Sequence, residues 1–235
     1  MVKEAIFMQS IPPATYQTDS PLELAFINPA RKLTKSRGKN IYRYASVKMN
    51  TIISVESTLE FDACFHFDFN NEISRFCSQP IRYSYVINGI IHTYVPDFLC
   101  EFDYGEMVLY EVKAPDAVNS KSFNREFDAK KKYAKKLFDV DLKLIEKDDI
   151  RDIPLLTNLK CMHRYTSQSE LTYEQTAILK YLNKHGSTKL ETIIARFNKG
   201  QNILPIIYNL LSKYLIKIDL RVPLNGQTKL KATYV

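Results

Sequence analysis

From Ile90 to Lys113 the chain holds two apolar runs separated by Asp103-Tyr104-Gly105. A three-residue hairpin loop asks for a left-handed residue at its third position, and glycine takes that conformation without a steric cost. Such a loop pairs Phe102 with Glu106 and carries the register back to Asp97 opposite Glu111. Side chains two apart in a strand share a face, so Glu111 and Lys113 project together while Val112 points away. A two-residue turn would instead set Asp97 opposite Val112, on the other face unless a bulge intervenes. In either register the acids sit in strands that are otherwise apolar on both faces, as strands in the middle of a sheet are. Buried charge is costly unless it is paired or bound to something. In the first register two carboxylates face each other. A divalent cation would relieve their repulsion, and Lys113 would stand where it could orient or polarise a metal-bound water. Taken alone, the same residues also describe a plain hairpin with a chance Glu111–Lys113 ion pair, because patterns this short recur.

The flanking sequence supplies the other elements. Ser57-Thr58-Leu59-Glu60 is a capping-box sequence that predicts a buried helix over 57–69, with Phe61, Phe65, Phe67 and Phe69 along it. Glu60 then has two roles open to it, as the helix's capping partner or as a carboxylate reaching a site on neighbouring strands. Glu56, one turn earlier, competes for the second role. Ile73 to Pro80 leads into a strand, Ile81 to Ile87, and Asn88-Gly89 turns it into the next, Ile90 to Phe102. Asn124 to Phe138 reads as a basic helix carrying Lys131, Lys132 and Lys135, and Asp141 to Glu146 as a closing strand. The order is helix, three antiparallel strands, helix, strand: an α/β core with its acids at the sheet's edge. His66 and His92 read as structural residues.

Residues 1–50 read as an irregular segment and a basic arm. From Arg31 to Lys48 the arm holds Arg37, Lys39 and Arg43 with no acid between them, as suits either a solvated loop or a contact with a phosphate backbone. The core is expected over 51–165, with 149–168 as a linker. Over 166–235 three helices (Tyr173 to Lys184, Leu190 to Phe197, Asn202 to Tyr214) precede a strand-turn-strand around Pro223-Leu224-Asn225-Gly226. That order describes a winged-helix domain, a fold common in DNA contexts. Composition agrees with a polyanionic partner: the 235-residue chain carries a net charge of +7. An apolar fraction of 45% is enough for a real core. Cys64, Cys77, Cys100 and Cys161 match no zinc spacing and read as reduced thiols of a cytosolic protein. No apolar run approaches the ~18 residues a membrane span needs, and no signal-peptide stretch opens the sequence.

Ser57-Thr58-Leu59-Glu60, Cys77-Ser78-Gln79-Pro80, Val95-Pro96-Asp97-Phe98 and Glu111-Val112-Lys113-Ala114 occur in this order. Together with the basic arm and the C-terminal winged helix, they resemble the PD-(D/E)xK nucleases, and within them the TnsA transposon endonucleases. The resemblance implies a restriction-endonuclease-like PD-(D/E)xK core. It implies that Glu60, Asp97 and Glu111 bind Mg²⁺, as one ion or two and with Mn²⁺ able to substitute. The Val112 carbonyl would be a further ligand and Lys113 the catalytic lysine. It places Gln79 near the active site or the scissile strand. Some family members have Gln where this chain has Glu111, so the full acidic set points to an active enzyme. The function implied is cleavage of the 5′ ends of a transposon during cut-and-paste transposition. A TnsB-like transposase would cut the 3′ ends, a TnsC-like AAA+ ATPase would dock on the C-terminal domain, and the complex would work on double-stranded DNA in a bacterial, nucleoid-associated setting. The compact length is similar to versions in CRISPR-associated transposons. The alternatives are a stand-alone restriction or repair nuclease, and a non-catalytic DNA-binding adaptor with a relic nuclease core.

Overall fold

The structure, a computed structural model, describes residues 20–31, 33, 40–118, 120–167, 169–198, 200 and 202–233. Arg37 and Lys39 of the basic arm lie outside the described residues. Helix α1 (Pro21–Ala25) starts at Ser20, whose hydroxyl accepts the Glu23 N–H. Strands β1 (Tyr42–Ser46) and β2 (Thr51–Val55) form an antiparallel hairpin with Tyr44 opposite Ile53. Helix α2 (Thr58–Asp68) follows, and its last residue fastens the hairpin. Asp68 accepts the hydroxyls of Tyr44 (2.8 Å) and Ser46 (2.6 Å) and the N–H groups of Val47 and Lys48 (both 3.0 Å). Lys48 itself crosses the end of α2 and donates to the carbonyls of Phe67 (2.9 Å), Asn70 (2.6 Å) and Ile73. A helix leaves its last carbonyls without partners, and the ammonium supplies one for Phe67 while also tying down the turn that leads into β3. The expectation of a phosphate-binding Lys48 is therefore corrected: all three of its donors are committed to main-chain oxygens. Arg43, one strand position from Tyr44, is exposed.

Strands β3 (Ile73–Ser78), β4 (Tyr83–Ile87), β5 (Ile90–Tyr94), β6 (Phe98–Phe102) and β7 (Met107–Lys113) come next in the chain. They lead to helices α3 (Pro115–Val118) and α4 (Lys121–Phe138) and strand β8 (Asp141–Glu146). The main sheet has the order β3-β6-β7-β8. Its first three strands are antiparallel, and β8 lies parallel to β7 after the α4 crossover. Apolar side chains alternate along the two central strands. Phe98, Cys100 and Val112 join the core on the α2 side, and Leu99 and Leu109 join the one on the α4 side. Each of the fully buried leucines contributes about 2 kcal/mol by leaving water. Helix α4 stops at Asp139, which takes a left-handed conformation (φ 55°) and returns its N–H to the Lys135 carbonyl.

The strand pattern differs from the sequence expectation in one place. Residues 81–87 and 90–94 do not continue into the main sheet. They form a two-stranded hairpin of their own whose tyrosine face packs on α4. Two backbone features separate the sheets. Gln79 turns through a left-handed conformation (φ 51°) immediately before Pro80, and Pro96 has no N–H to continue a ladder. The strand next to β6 is accordingly β3, which the sequence presents as a mere lead-in. The acids fall at the end of the two central strands and not on an outer one.

Residues 149–168, expected as a linker, are mostly helical. Helix α5 (Lys147–Ile150) is followed by α6 (Ile153–Tyr165), which buries Leu156, Leu159 and Met162. The remaining elements are α7 (Tyr173–His185), β9 (Thr188–Lys189), α8 (Leu190–Phe197), α9 (Leu204–Ser212), β10 (Ile216–Lys217) and β11 (Lys229–Ala232). Gly186 ends α7 at positive φ (71°), and the three short strands make a sheet of order β10-β11-β9. Helix α6 packs on both α2 and α9, and one apolar cluster runs through all three. Among the described residues no helix is long and apolar enough to cross a membrane.

Candidate active site

The Asp103-Tyr104-Gly105 loop forms as its sequence asks. Phe102 donates to the Glu106 carbonyl at 2.8 Å, and Gly105 sits at φ 87°. The ladder then runs Glu101 to Met107 through Phe98 to Tyr110, so the next step brings Asp97 level with Glu111. Asp97 closes that step by donating its N–H to the Tyr110 carbonyl (3.0 Å) and accepting the Val112 N–H on Oδ2 (2.8 Å). On its other side the Asp97 carbonyl accepts the Gln79 N–H at 2.9 Å. The left-handed Gln79 thus belongs to the site's backbone. Strained conformations of non-glycine residues gather at such places. Gln79 is 3% exposed, so it stands near the site, where the resemblance places it, as a buried support behind Asp97 and not as a surface contact for nucleic acid.

Glu111 is 3% exposed. One oxygen pairs with the Lys113 ammonium at 2.7 Å, and the other accepts the Tyr94 hydroxyl. Tyr94 is the site residue that sequence reasoning missed. It ends β5, in the hairpin outside the main sheet, and reaches Glu111 only because the chain breaks at Val95-Pro96. Its ring lies under the buried Lys130 ammonium, 4.3 Å from the centroid, and Lys130 pairs with Glu126 at 2.9 Å. The Tyr85 hydroxyl donates to the same Glu126 carboxylate at 2.8 Å. A continuous polar chain therefore links Lys113 to helix α4.

Glu60 enters from the start of α2 and is 7% exposed. The Ser57 hydroxyl donates to it at 2.7 Å while accepting the Glu60 N–H at 3.1 Å, and the Glu56 N–H donates to its other oxygen at 3.0 Å. Glu56, the alternative carboxylate, is held by Arg31 with two bonds of 3.0 and 2.7 Å.

The electrostatics mark these groups as one unit. Burial, then the neighbouring charges of Glu111 and Glu60, push the Asp97 carboxyl up to about 8. Burial likewise raises Glu60. Burial pulls the Lys113 ammonium down, but Glu111, Asp97 and Glu60 outweigh it and hold its pKa above the ordinary lysine value. The cluster thus holds three acids against one lysine. Oxygen donors with surplus negative charge suit a hard cation such as Mg²⁺. As placed, however, no three His, Cys, Asp or Glu side chains among the described residues converge on one point to hold an ion. Tyr94, Lys113, Ser57 and the Val112 N–H satisfy the carboxylates instead. A cation here would take over from Tyr94 and Lys113 as the partner of Glu111.

The remaining candidates lie apart from this cluster. Lys131, Lys132 and Lys135 are exposed on α4, and Lys135 is paired with Asp139 (3.0 Å) and Asp141 (3.8 Å). His66 bonds the Ile150 carbonyl at 2.8 Å, and His92 stacks on Tyr85, so neither joins the site.

Residues 70–146, about a third of the chain, match the family model described as the TnsA-like endonuclease N-terminal domain. The match takes in Gln79, Asp97, Glu111, Val112, Lys113 and the three α4 lysines, and leaves Glu60 and everything after β8 outside. No curated protein matches the chain. The resemblance to TnsA-like endonucleases therefore holds over the stretch that carries the two central strands and the α4 crossover.

Proposed function

We propose that this chain, which carries a TnsA-like endonuclease N-terminal domain, is a metal-dependent DNA endonuclease that cuts the 5′ ends of a transposon. The observation that carries this reading is that the charges of Glu111, Glu60 and Lys113 all act on the buried Asp97 carboxyl at the ends of the central strands. Helix α2 brings Glu60 to the β6–β7 hairpin, whose paired ends carry the other three. A restriction-endonuclease-like PD-(D/E)xK core is the fold in which that meeting makes sense. Bound Mg²⁺, or Mn²⁺ in its place, would neutralise charge on the scissile phosphate and lower the pKa of a water. Asp97 and Glu111 would hold it, with Glu60 and the Val112 carbonyl completing the set. Lys113, released from Glu111, would then be free to orient the attacking water. The C-terminal order helix, short strand, helix, helix, strand, strand supports a winged-helix unit, which we assign to docking.

The partners follow from the division of labour. One such site hydrolyses one strand, so release of an element needs a second enzyme for the 3′ ends, a TnsB-like transposase, and an ATPase of the TnsC kind to gather them. With those partners present, Lys113→Ala should shift products from simple insertions to fused donor–target molecules. Long-read sequencing of the products reads the ratio, and simple insertions at the wild-type proportion would reject the assignment.

One observation favours a second reading. Lys113 and Tyr94 already satisfy Glu111 without a cation, as they would in a DNA-binding adaptor that kept a relic core. Calorimetric titration with Mg²⁺ separates the two: the endonuclease binds the ion and Asp97→Ala abolishes the heat, whereas a relic core gives no heat in either protein.

A further inference from the structure

The basic charge of this chain is not where the arm and helix α4 suggest. Residues 172–235 hold ten lysines and arginines against three acids, a net +7 that equals the whole chain's, and residues 1–171 therefore sum to zero. Part of that charge is gathered on the small C-terminal sheet. Lys229 lies directly across from Lys189, and Lys231 directly across from Lys217. Residues opposite one another in an antiparallel pair share a face, as do Lys229 and Lys231 two apart on the middle strand. The four lysines therefore stand on one face, and all are exposed. The other face is apolar: Leu230 and Ile216 are buried in the core.

Like charges directly opposite each other destabilise a sheet, and this one places two such pairs side by side. The sheet does little to offset them. Lys189 pairs with Glu191 at 3.3 Å, and Glu191 also accepts the Gln227 amide at 2.7 Å. Among the described residues no carboxylate pairs with Lys217, Lys229 or Lys231. Repulsion of this kind is relieved by an external polyanion. The dimensions suit one with closely spaced charges: about 6.7 Å along the middle strand and about 4.8 Å from strand to strand. Duplex DNA presents a phosphate every ~1.7 Å of its axis.

We propose that the lysine face of the β10-β11-β9 sheet is a sequence-independent contact for the phosphate backbone of duplex DNA. It works through Lys189, Lys217, Lys229 and Lys231 and stands apart from the acidic site. The inference takes only its choice of polyanion from the nuclease reading. Binding is measured in EDTA, so the result does not depend on cleavage, and failure here leaves that reading standing.

The test is fluorescence anisotropy of the full chain on a random-sequence 30-base-pair duplex over a salt series. The variant carries Lys189→Gln, Lys217→Gln, Lys229→Gln and Lys231→Gln together. Four phosphate contacts contribute about 3.6 to the log–log salt slope, so the variant's slope should flatten by about 3 and its affinity fall at least tenfold, by order of magnitude, near 0.1 M salt. The matching four-arginine variant should keep the wild-type slope. Relief of the cross-strand repulsion should leave the Gln variant's Tm equal to the wild type or higher, which shows that a weaker binder is still folded. An unchanged slope overturns the proposal. So does wild-type protein that binds polyglutamate as tightly as the duplex, since that assigns the face to an acidic protein.

Discussion

Replacing Asp97 by Asn should make the protein more stable at alkaline pH and leave it nearly unchanged at pH 5. Asn keeps an oxygen for the Val112 N–H and removes only the charge. In the folded chain the Asp97 carboxyl holds its proton up to about 8, because burial and the charges of Glu111 and Glu60 oppose ionisation. In the unfolded chain it loses the proton near 4. Between those values the folded state binds the extra proton, so stability falls as pH rises, by up to 1.36 kcal/mol per unit, and the loss is complete above pH 8. A wholly enclosed carboxyl would lose on the order of 5 kcal/mol over this window. Asp97 is only part-buried, and water screens part of the penalty, so about 2 kcal/mol is the expected figure. Glu60, also raised by burial, adds in the same direction and remains in the variant. Urea unfolding in EDTA at pH 5 and pH 9 measures it. With a slope near 2 kcal/mol per molar, the Asn variant's midpoint at pH 9 should exceed the wild type's by about 1 M. Saturating Mg²⁺ should erase most of that difference by stabilising the wild type alone. Parallel pH curves for the two proteins would refute the electrostatic account of the site.

Tyr94→Phe removes the donor on Glu111 and should cost about 2 kcal/mol at pH 7, read from the same unfolding curves; a neutral result would mean that the phenol does not hold the carboxylate. Glu60→Gln should abolish metal-dependent cleavage of end-bearing DNA while Glu56→Gln remains active, and the reverse pattern would move the ligand to Glu56. Asp68→Ala strips four donors of their acceptor and should cost at least ~3 kcal/mol, enough to loosen the β1–β2 hairpin; proteolysis within residues 40–56 would report it. Lys48→Met should cost about 2 kcal/mol yet leave the salt slope of DNA binding unchanged, because its donors face carbonyls; a flatter slope would return it to the DNA surface.

The parts of the fold that local chemistry dictates could be read from sequence. Gly105 fixes the loop and hence the level of Asp97 with Glu111, Ser57 fixes the start of α2, Gly186 fixes the end of α7, and β8 runs over the residues its alternation suggests. What escaped reading depends on partners distant in sequence. Gln79 is not a residue type that announces a left-handed turn, so the break between β3 and β4 left no signal, and β3 looked like a lead-in. Pro96 did carry a signal, since it cannot extend a ladder, and reading it would have separated β5 from β6 and exposed Tyr94 as a neighbour of Glu111. Helix α6 was hidden by polar residues whose partners lie elsewhere. Asn158 is buried and bonds the carbonyls of Leu220 (2.9 Å) and Val222 (3.0 Å), and His163 bonds that of Ala45 (2.7 Å). The apolar spacing Leu155, Leu156, Leu159, Met162 was nonetheless helical and was there to be counted. Strand periodicity grouped Glu111 with Lys113 and the loop register brought Asp97 level with them, whereas Glu60 was singled out as a ligand only by the family resemblance. The way these residues spend their oxygens on Tyr94, Ser57 and Val112 could not be read.

Helix α6 also decides how the molecule yields to force and heat. Asp62 of α2 holds it through Lys160 (2.6 Å) and the preceding Arg151 (3.0 Å), while the Tyr208 hydroxyl of α9 reaches its Asn158 at 3.2 Å. A single rod is thus clamped at one flank by the helix that bears Glu60 and at the other by the C-terminal helices. Neither flank can open without uncovering Leu156, Leu159 and Met162, so urea meets one cooperative block and not two beads on a string. A partner that tilts the C-terminal helices pulls on the same rod, and the load arrives at Asp62 in the first half of α2, two residues from Glu60.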